Sequence, residues 1–232
     1  MLVHGAWHGG WCWRLVADRL AAAGHRVFCP TLTGLGERAH LLTREVNLST
    51  HIADVVGLLE AEELSDVVLC GHSYGGIVIT GVAARAKARL RQLVYLDSAI
   101  VEDGESWSTA HTPQVQADRR KLAEPSGGLS LPVPEADVFG LREPKDLEWV
   151  QRRMTPHPFA PYDQKMDWGG PVGNGVPKLY VDCTEPAYAG LAPVKLKVRG
   201  NPRDWPCVEL RTGHDAMVSA PDETAKLLLG FA

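Results

Sequence analysis

Residues 66–88 read DVVLCGHSYGGIVITGVAARAKA, and no other stretch limits the possible fold so tightly. A β-branched run ends on a glycine, turns through Ser73 between Gly71 and Gly75, and passes at once into helical patterning from Ile77 to Ala88. A strand that feeds straight into a helix is half of a βαβ unit, and such units build parallel sheets with helices on both faces. The rest of the chain keeps this rhythm. Met1 to Val3 is the stub of a strand, a helix follows from about Trp11 to Ala23 and stops at Gly24, RVFCP reads as a strand closed by Pro30, and TLTGLGER is a glycine-bearing loop. Ser49 or Thr50 can cap the helix IADVVGLLEAEEL, on which Ile52, Val55, Val56 and Leu59 share a face. In QLVYLD the residues Leu93 to Leu96 are all apolar, as a strand covered on two sides requires. KLYVDC and PCVEL continue the sheet, and a last helix runs from about Pro221 to Gly230. A first strand of two or three residues is short for such a sheet, so either the native chain begins upstream of Met1 or the sheet edge is frayed.

From about Ile100 to Pro177 the rhythm breaks. Most of the 16 prolines fall here, with only fragmentary helical patterns such as PKDLEWVQRRM. No flexible linker marks either end, so the 232 residues read as one domain whose residues 100–177 form a cap inserted after the strand ending at Asp97. The net charge of −4 offers no basic face for nucleic acid, and no run of about 18 apolar residues is present to span a membrane. The opening MLVHG lacks the features of a secretory leader, which points to the cytoplasm. Five scattered cysteines without a C-x-x-C spacing predict neither a disulfide framework nor a zinc knuckle. His4 and His8 have a ligand-like i, i+4 spacing, but Gly5, Gly9 and Gly10 place them in a loop, and no metal site is expected.

The corner itself carries chemistry. G-H-S-Y-G satisfies G-x-S-x-G with a strand before it and a helix after it, the context in which the serine hydroxyl is pushed clear of the sheet by a tight, strained turn. Ser73 is therefore the candidate nucleophile, and the amide of Tyr74 at the helix start can donate to a developing oxyanion. A second donor is expected from the loop after the first strand, VHGAWHGGW, where the amide of Ala6 follows Gly5. A serine needs a base. His214, in the loop after the last strand, would project from the same sheet edge; His72, beside Ser73 in the chain, points away from it. Trp107, Trp149, Met154 and Phe159, with Tyr162 and Trp168, are the cap residues that can line an apolar or aromatic substrate pocket, and no cluster of cations accompanies them.

Together, HGAWHGGWCW, GHSYGG and TGHDAMVSAPDE resemble the α/β-hydrolase superfamily, and within it the small esterases grouped with plant methylesterases and hydroxynitrile lyases, including bacterial members. The resemblance implies the α/β-hydrolase fold, a mostly parallel twisted sheet with helices on both faces, and Ser73, His214, Ala6 and Tyr74 in the roles above. It implies no cofactor and no metal, with a small ester as the partner molecule and a homodimer left open. Lyases of the group are similar except that they carry Thr where Gly5 stands and Lys where Asp215 follows His214, so hydrolysis is expected here. Plant relatives place the triad acid after the penultimate strand, where this chain has YVDCTEPAYAG with Pro186 at the expected position and Glu185 just before it. Asp97, ending LVYLD, occupies the place from which other members of the superfamily supply that acid. Asp97 is the preferred candidate and Glu185 the alternative, with Asp182 or Asp103 behind them. A receptor-like binding protein on the same scaffold, or a lyase or C–C bond hydrolase using the same residues, are the rival readings.

Overall fold

The computed structural model describes residues 1–231. Its strands are β1 (Leu2–Val3), β2 (Val67–His72), β3 (Leu90–Leu96), β4 (Ser130–Leu131), β5 (His157–Pro158), β6 (Lys178–Cys183) and β7 (Cys207–Leu210). Five of them form one sheet in the order β1-β2-β3-β6-β7, parallel throughout, while β4 and β5 make a small antiparallel pair. The helices are α1 (Arg14–Ala22), α2 (Leu48–Ala61), α3 (Gly75–Ala86), α4 (Pro113–Ala123), α5 (Pro144–Gln151), α6 (Ala160–Asp163), α7 (Ala192–Gly200), α8 (Ala216–Ser219) and α9 (Pro221–Leu229).

Side chains of the central strands alternate between two apolar layers, as the pleat demands. Leu69, Leu93, Tyr95 and Tyr180 enter the layer under α2 and α3, whereas Cys70, Val94, Leu96, Leu179 and Val181 enter the layer under α1 and α9. Both faces are thus covered. This explains why the strands read as continuous apolar runs.

Two local expectations change. The cap of α2 is Asn47, two residues before Ser49 and three before Thr50: its side chain accepts the Thr50 N–H at 3.1 Å while the Thr50 hydroxyl accepts the Asn47 N–H at 3.2 Å. The buried Leu48 thereby becomes the first helical residue. RVFCP is not a strand. It runs beside β1 and makes one ladder-like bond, from the Leu2 N–H to the Phe28 carbonyl at 2.8 Å, because β1 is only two residues long and offers no further partner. Helix α7, which the hydrophobic pattern did not signal, carries two side chains that matter below.

Between β3 and β6 the chain forms α4, α5 and α6, the β4–β5 pair and several single turns of 3₁₀ helix. None of the helices among the described residues is long and apolar enough to cross a membrane. Two surface clefts, of about 470 and 410 Å³, open near Met1, Phe28 and Arg91 and near Leu48, Gly81 and Trp168, and neither is lined by Ser73 or His214.

Candidate active site

Ser73 sits where β2 turns into α3. Its φ is +53°, a left-handed value that costs a residue with a side chain of order 1–3 kcal/mol and persists only when the surroundings enforce it. Here the backbone is held on both sides: the Ser73 N–H donates to the Leu96 carbonyl at 3.2 Å, and the Ser73 carbonyl accepts from Ala99 at 3.0 Å and Gly76 at 3.1 Å. The flanking glycines allow the corner. A Cβ on Gly71 would lie 2.5 Å from the Gly75 carbonyl oxygen, and one on Gly75 would lie 2.8 Å from the carbonyls of Val3 and His4. From Leu69 to Ala83 every residue is buried except Ser73, which alone retains partial exposure.

His214 and Asp97 meet across 117 positions of sequence, with Nδ1 of the imidazole 2.6 Å from Oδ2 of the carboxylate. A carboxylate only accepts, so Nδ1 carries the proton and Nε2 presents a lone pair. That Nε2 is buried and makes no hydrogen bond with any described residue, Ser73 included. The ring is stacked on Tyr188, with centroids 4.3 Å apart, and lies 4.6 Å from the ring of His72, the residue preceding Ser73. Asp97 is fully buried at the carboxyl end of β3, also with a positive φ of +41°. Its Oδ1 accepts the Cys183 N–H at 3.1 Å and faces the Lys195 ammonium of α7 at 2.7 Å. Burial pushes the Asp97 carboxyl upward, but the hydrogen bond and charge of His214 and the charge of Lys195 outweigh it and hold it below its ordinary value. Lys195 is shared with Asp182 at 3.0 Å, and Arg199 closes the far side of Asp182. A buried anion is thus matched by a buried cation, the condition for keeping it charged.

The alternatives for the acid lie elsewhere. Glu185 is exposed and faces Arg211 at 4.0 Å; Asp182 is taken by Lys195 and Arg199; Asp103 accepts the amides of Trp168 and Gly169.

A second ion pair fixes the surroundings. His8 donates from Nδ1 to the Ala6 carbonyl at 2.8 Å and from Nε2 to Asp215 at 3.0 Å, so both ring nitrogens carry protons and the ring is an imidazolium. Burial opposes that charge, and the Asp215 carboxylate overrides burial and raises the His8 pKa. His72 is buried beneath the elbow and donates from Nε2 to the His214 carbonyl at 3.0 Å. Burial, aided by neighbouring His214, pulls its pKa down to about 3, so it is neutral. Among the described residues neither the Ala6 nor the Tyr74 amide donates to a protein acceptor, which leaves both free for an oxyanion. Trp7, next to Ala6, has a φ of +65°. Strained backbone thus occurs in three of the four loops of the site, at Trp7, Ser73 and Asp97.

The four cap residues expected to line a pocket divide between the two apolar layers. Trp107 lies 5.1 Å from the Tyr74 ring, and Phe159 packs on the same layer, 5.7 Å from Tyr162. Met154 and Trp149 belong to the other layer. Trp149 meets Trp11 at 5.1 Å and carries Arg153 over its ring, so it is packing and stands apart from the ring cluster around Tyr74. Sequence reasoning missed His157, which is fully buried 4.8 Å from Tyr74 with neither ring nitrogen hydrogen-bonded, and Tyr188, which stacks on His214. Among the described residues no cluster of three or more His, Cys, Asp or Glu is arranged to hold a metal ion.

A nucleophile corner, a buried imidazole–carboxylate couple and two free amides are the parts of a serine hydrolase, and the similarity to known proteins agrees. Residues 1–227 match the alpha/beta hydrolase family. The chain belongs to that family. The hydrolase is 42% identical to a carbendazim hydrolyzing esterase of Nocardioides sp. (strain SG-4G), over 98% of this chain and 97% of the relative. It is 21% identical to a chloroplastic methylesterase of Arabidopsis thaliana over 99% of this chain, and spans about 55% of that relative's length. An extracellular alpha/beta-hydrolase from a Paenibacillus species has the same fold, with a TM-score of 0.86 at 23% identity, covering 100% of this chain and 97% of the other. The hydrolase is of the carboxylesterase type.

Proposed function

We propose that Ser73, His214 and Asp97 act as a catalytic triad for two-step ester hydrolysis. Ser73 attacks the ester carbonyl while His214 Nε2 takes its proton, and the amides of Ala6 and Tyr74 hold the oxyanion. His214 then protonates the departing alcohol, and water, activated by the same imidazole, releases the acid from Ser73. Asp97 keeps Nδ1 protonated and stabilises the imidazolium that forms. The observation that carries this reading is the Asp97–His214 hydrogen bond, with Nε2 left free and the imidazole 4.6 Å from the ring of His72, the residue before the strained Ser73. Residues 100–177 serve as the cap of a single domain, and Trp107, Phe159 and Tyr162 offer an aromatic wall suited to a small or medium apolar or aromatic ester. Five unpaired cysteines are in keeping with a reducing, cytoplasmic setting.

Lyase chemistry fits poorly. A Cβ on Gly5 would come within 2.8 Å of the Ser73 Cβ, leaving no room for threonine, and Asp215, its charge spent on His8, stands where a lyase of the group has a lysine. The test of the esterase reading is Ser73→Ala, which should lower turnover of p-nitrophenyl acetate by on the order of 10⁴-fold or more. A fluorophosphonate probe should label the parent enzyme and not the variant, whereas a receptor-like protein would bind ligands without becoming labelled. Carbendazim, the compound named for the 42% identical relative, belongs first in the substrate panel.

A further inference from the structure

Helix α4 brings a cation into the aromatic wall. Arg119 lies with its guanidinium 4.8 Å from the centre of the Trp107 ring and 5.0 Å from that of Tyr162. Its Nη1 is buried and makes no hydrogen bond. Among the described residues Arg119 has no carboxylate partner either, although its neighbour Arg120 on the same helix pairs with Asp163 in the ordinary way at the surface. The groups its charge acts on are those of the site: the phenols of Tyr162 and Tyr188 and the imidazoles of His157 and His111. Tyr188, one of these phenols, stacks on His214, and Trp107, which lies under the guanidinium, packs on the ring of Tyr74.

A guanidinium stays charged at neutral pH, and leaving one of its donors buried and unmatched is costly. Stacking on two aromatic faces offsets part of that cost but satisfies no N–H. The complement of a planar, donor-only cation is a pair of anionic oxygens.

We propose that Arg119 is a specificity-determining residue that receives a carboxylate carried by the substrate, so that the preferred esters bear a second, ionised group alongside the scissile bond. This rests on the esterase reading above. The nearby unsatisfied ring nitrogens of His157 can accept or donate to the same part of the substrate, but it is the guanidinium that discriminates charge.

The experiment compares matched ester pairs: mono-p-nitrophenyl glutarate against p-nitrophenyl pentanoate, with the charge on the acyl side, and 4-acetoxybenzoate against phenyl acetate, with the charge on the alcohol side. In at least one pair the parent enzyme should prefer the charged ester, and Arg119→Gln should lower kcat/KM for it by about 10-fold or more, mainly through KM, while changing the neutral ester by less than about threefold. Arg119→Lys, which keeps the charge and loses the planar fork, should give an intermediate ratio and serves if the glutamine variant fails to fold. A purely packing role would depress charged and neutral esters alike. That result, or ratios unchanged in both pairs, would overturn the proposal. Failure of the esterase reading is seen separately, as p-nitrophenyl acetate turnover that survives Ser73→Ala.

Discussion

Acid should unfold this protein well before its carboxylates titrate, because several buried histidines must stay neutral. Burial holds His4 and His72 down to about 3 and His51 to about 4, each with an ordinary value of 6.5. Their hydrogen bonds fit the neutral form: His4 Nε2 accepts the Leu32 N–H at 3.0 Å, and His51 donates to the Thr33 carbonyl at 2.9 Å while accepting the Tyr74 hydroxyl at 2.8 Å. Below pH 6.5 the unfolded chain binds a proton at each of these positions and the native chain does not, so stability is complete above 6.5 and falls as pH drops toward 3–4. At pH 5 each histidine has withdrawn about 2 kcal/mol, or about 6 kcal/mol for the three. His157, also pushed well down by burial, acts in the same direction. His8 opposes it, because its raised pKa supplies stability below 6.5 that is lost at higher pH. Asp97 and Asp215, held below 3.8, lose their contribution only at more acidic pH. Since domains of this size are stable by about 5–15 kcal/mol, the midpoint should fall between about pH 5 and pH 4, nearer pH 5 the lower the starting stability. Urea unfolding followed by tryptophan fluorescence between pH 7.5 and 5 should give a slope approaching about 3–4 kcal/mol per pH unit at the acid end, and His51→Gln should reduce it by about a third. A stability curve flat across that range, with unfolding only below about pH 3.5, would refute the reasoning.

Other consequences can be tested directly. Asp97→Asn should lower kcat for p-nitrophenyl acetate by about 10³–10⁴-fold through loss of the Nδ1 acceptor, whereas Glu185→Gln should change it by no more than about threefold. The reverse ranking would return the triad acid to Glu185. Lys195→Met removes the cation facing both Asp97 and Asp182, and should cost about 3–5 kcal/mol in urea unfolding, with a loss of activity at neutral pH that the Asp182→Asn change partly relieves. In Gly71→Ala the new methyl meets the Gly75 carbonyl oxygen at 2.5 Å, so the variant should lose about 3 kcal/mol or more of stability and most of its labelling by a fluorophosphonate.

The central strands β2 and β3 were legible because their residues obey one rule. A strand buried on both faces must be apolar at every position, and Leu93 to Leu96 and the Val67–Cys70 run satisfy it. RVFCP has the same composition and is not a strand, since strand formation depends on a partner and β1 ends after two residues. The cap of α2 is offset by two or three residues because Asn47, Ser49 and Thr50 all have the chemistry of a cap, and the reciprocal bonds of Asn47 and Thr50, with Leu48 buried, decide among them. At the site, Ser73 and Gly71 announce themselves through a local motif. The partner of His214 is a long-range choice, and Pro186 beside Glu185 narrowed it without deciding it. Lys195, Arg119, Tyr188 and His157 left no signal in the sequence. Their meaning lies in which groups they face across the fold, and a lone Lys or Arg on a short amphipathic helix looks the same whether it meets water or a buried anion.

The His8–Asp215 pair has a mechanical consequence. His8 belongs to the loop that offers the Ala6 amide, and Asp215 is bonded in sequence to the base, so this one buried contact rivets the electrophile-holding rim to the proton-accepting rim across 207 residues. Neither rim can swing independently while the pair is intact. On the proposed reading of residues 100–177 as a cap, the opening that admits substrate falls to that segment, over a floor held together by this pair.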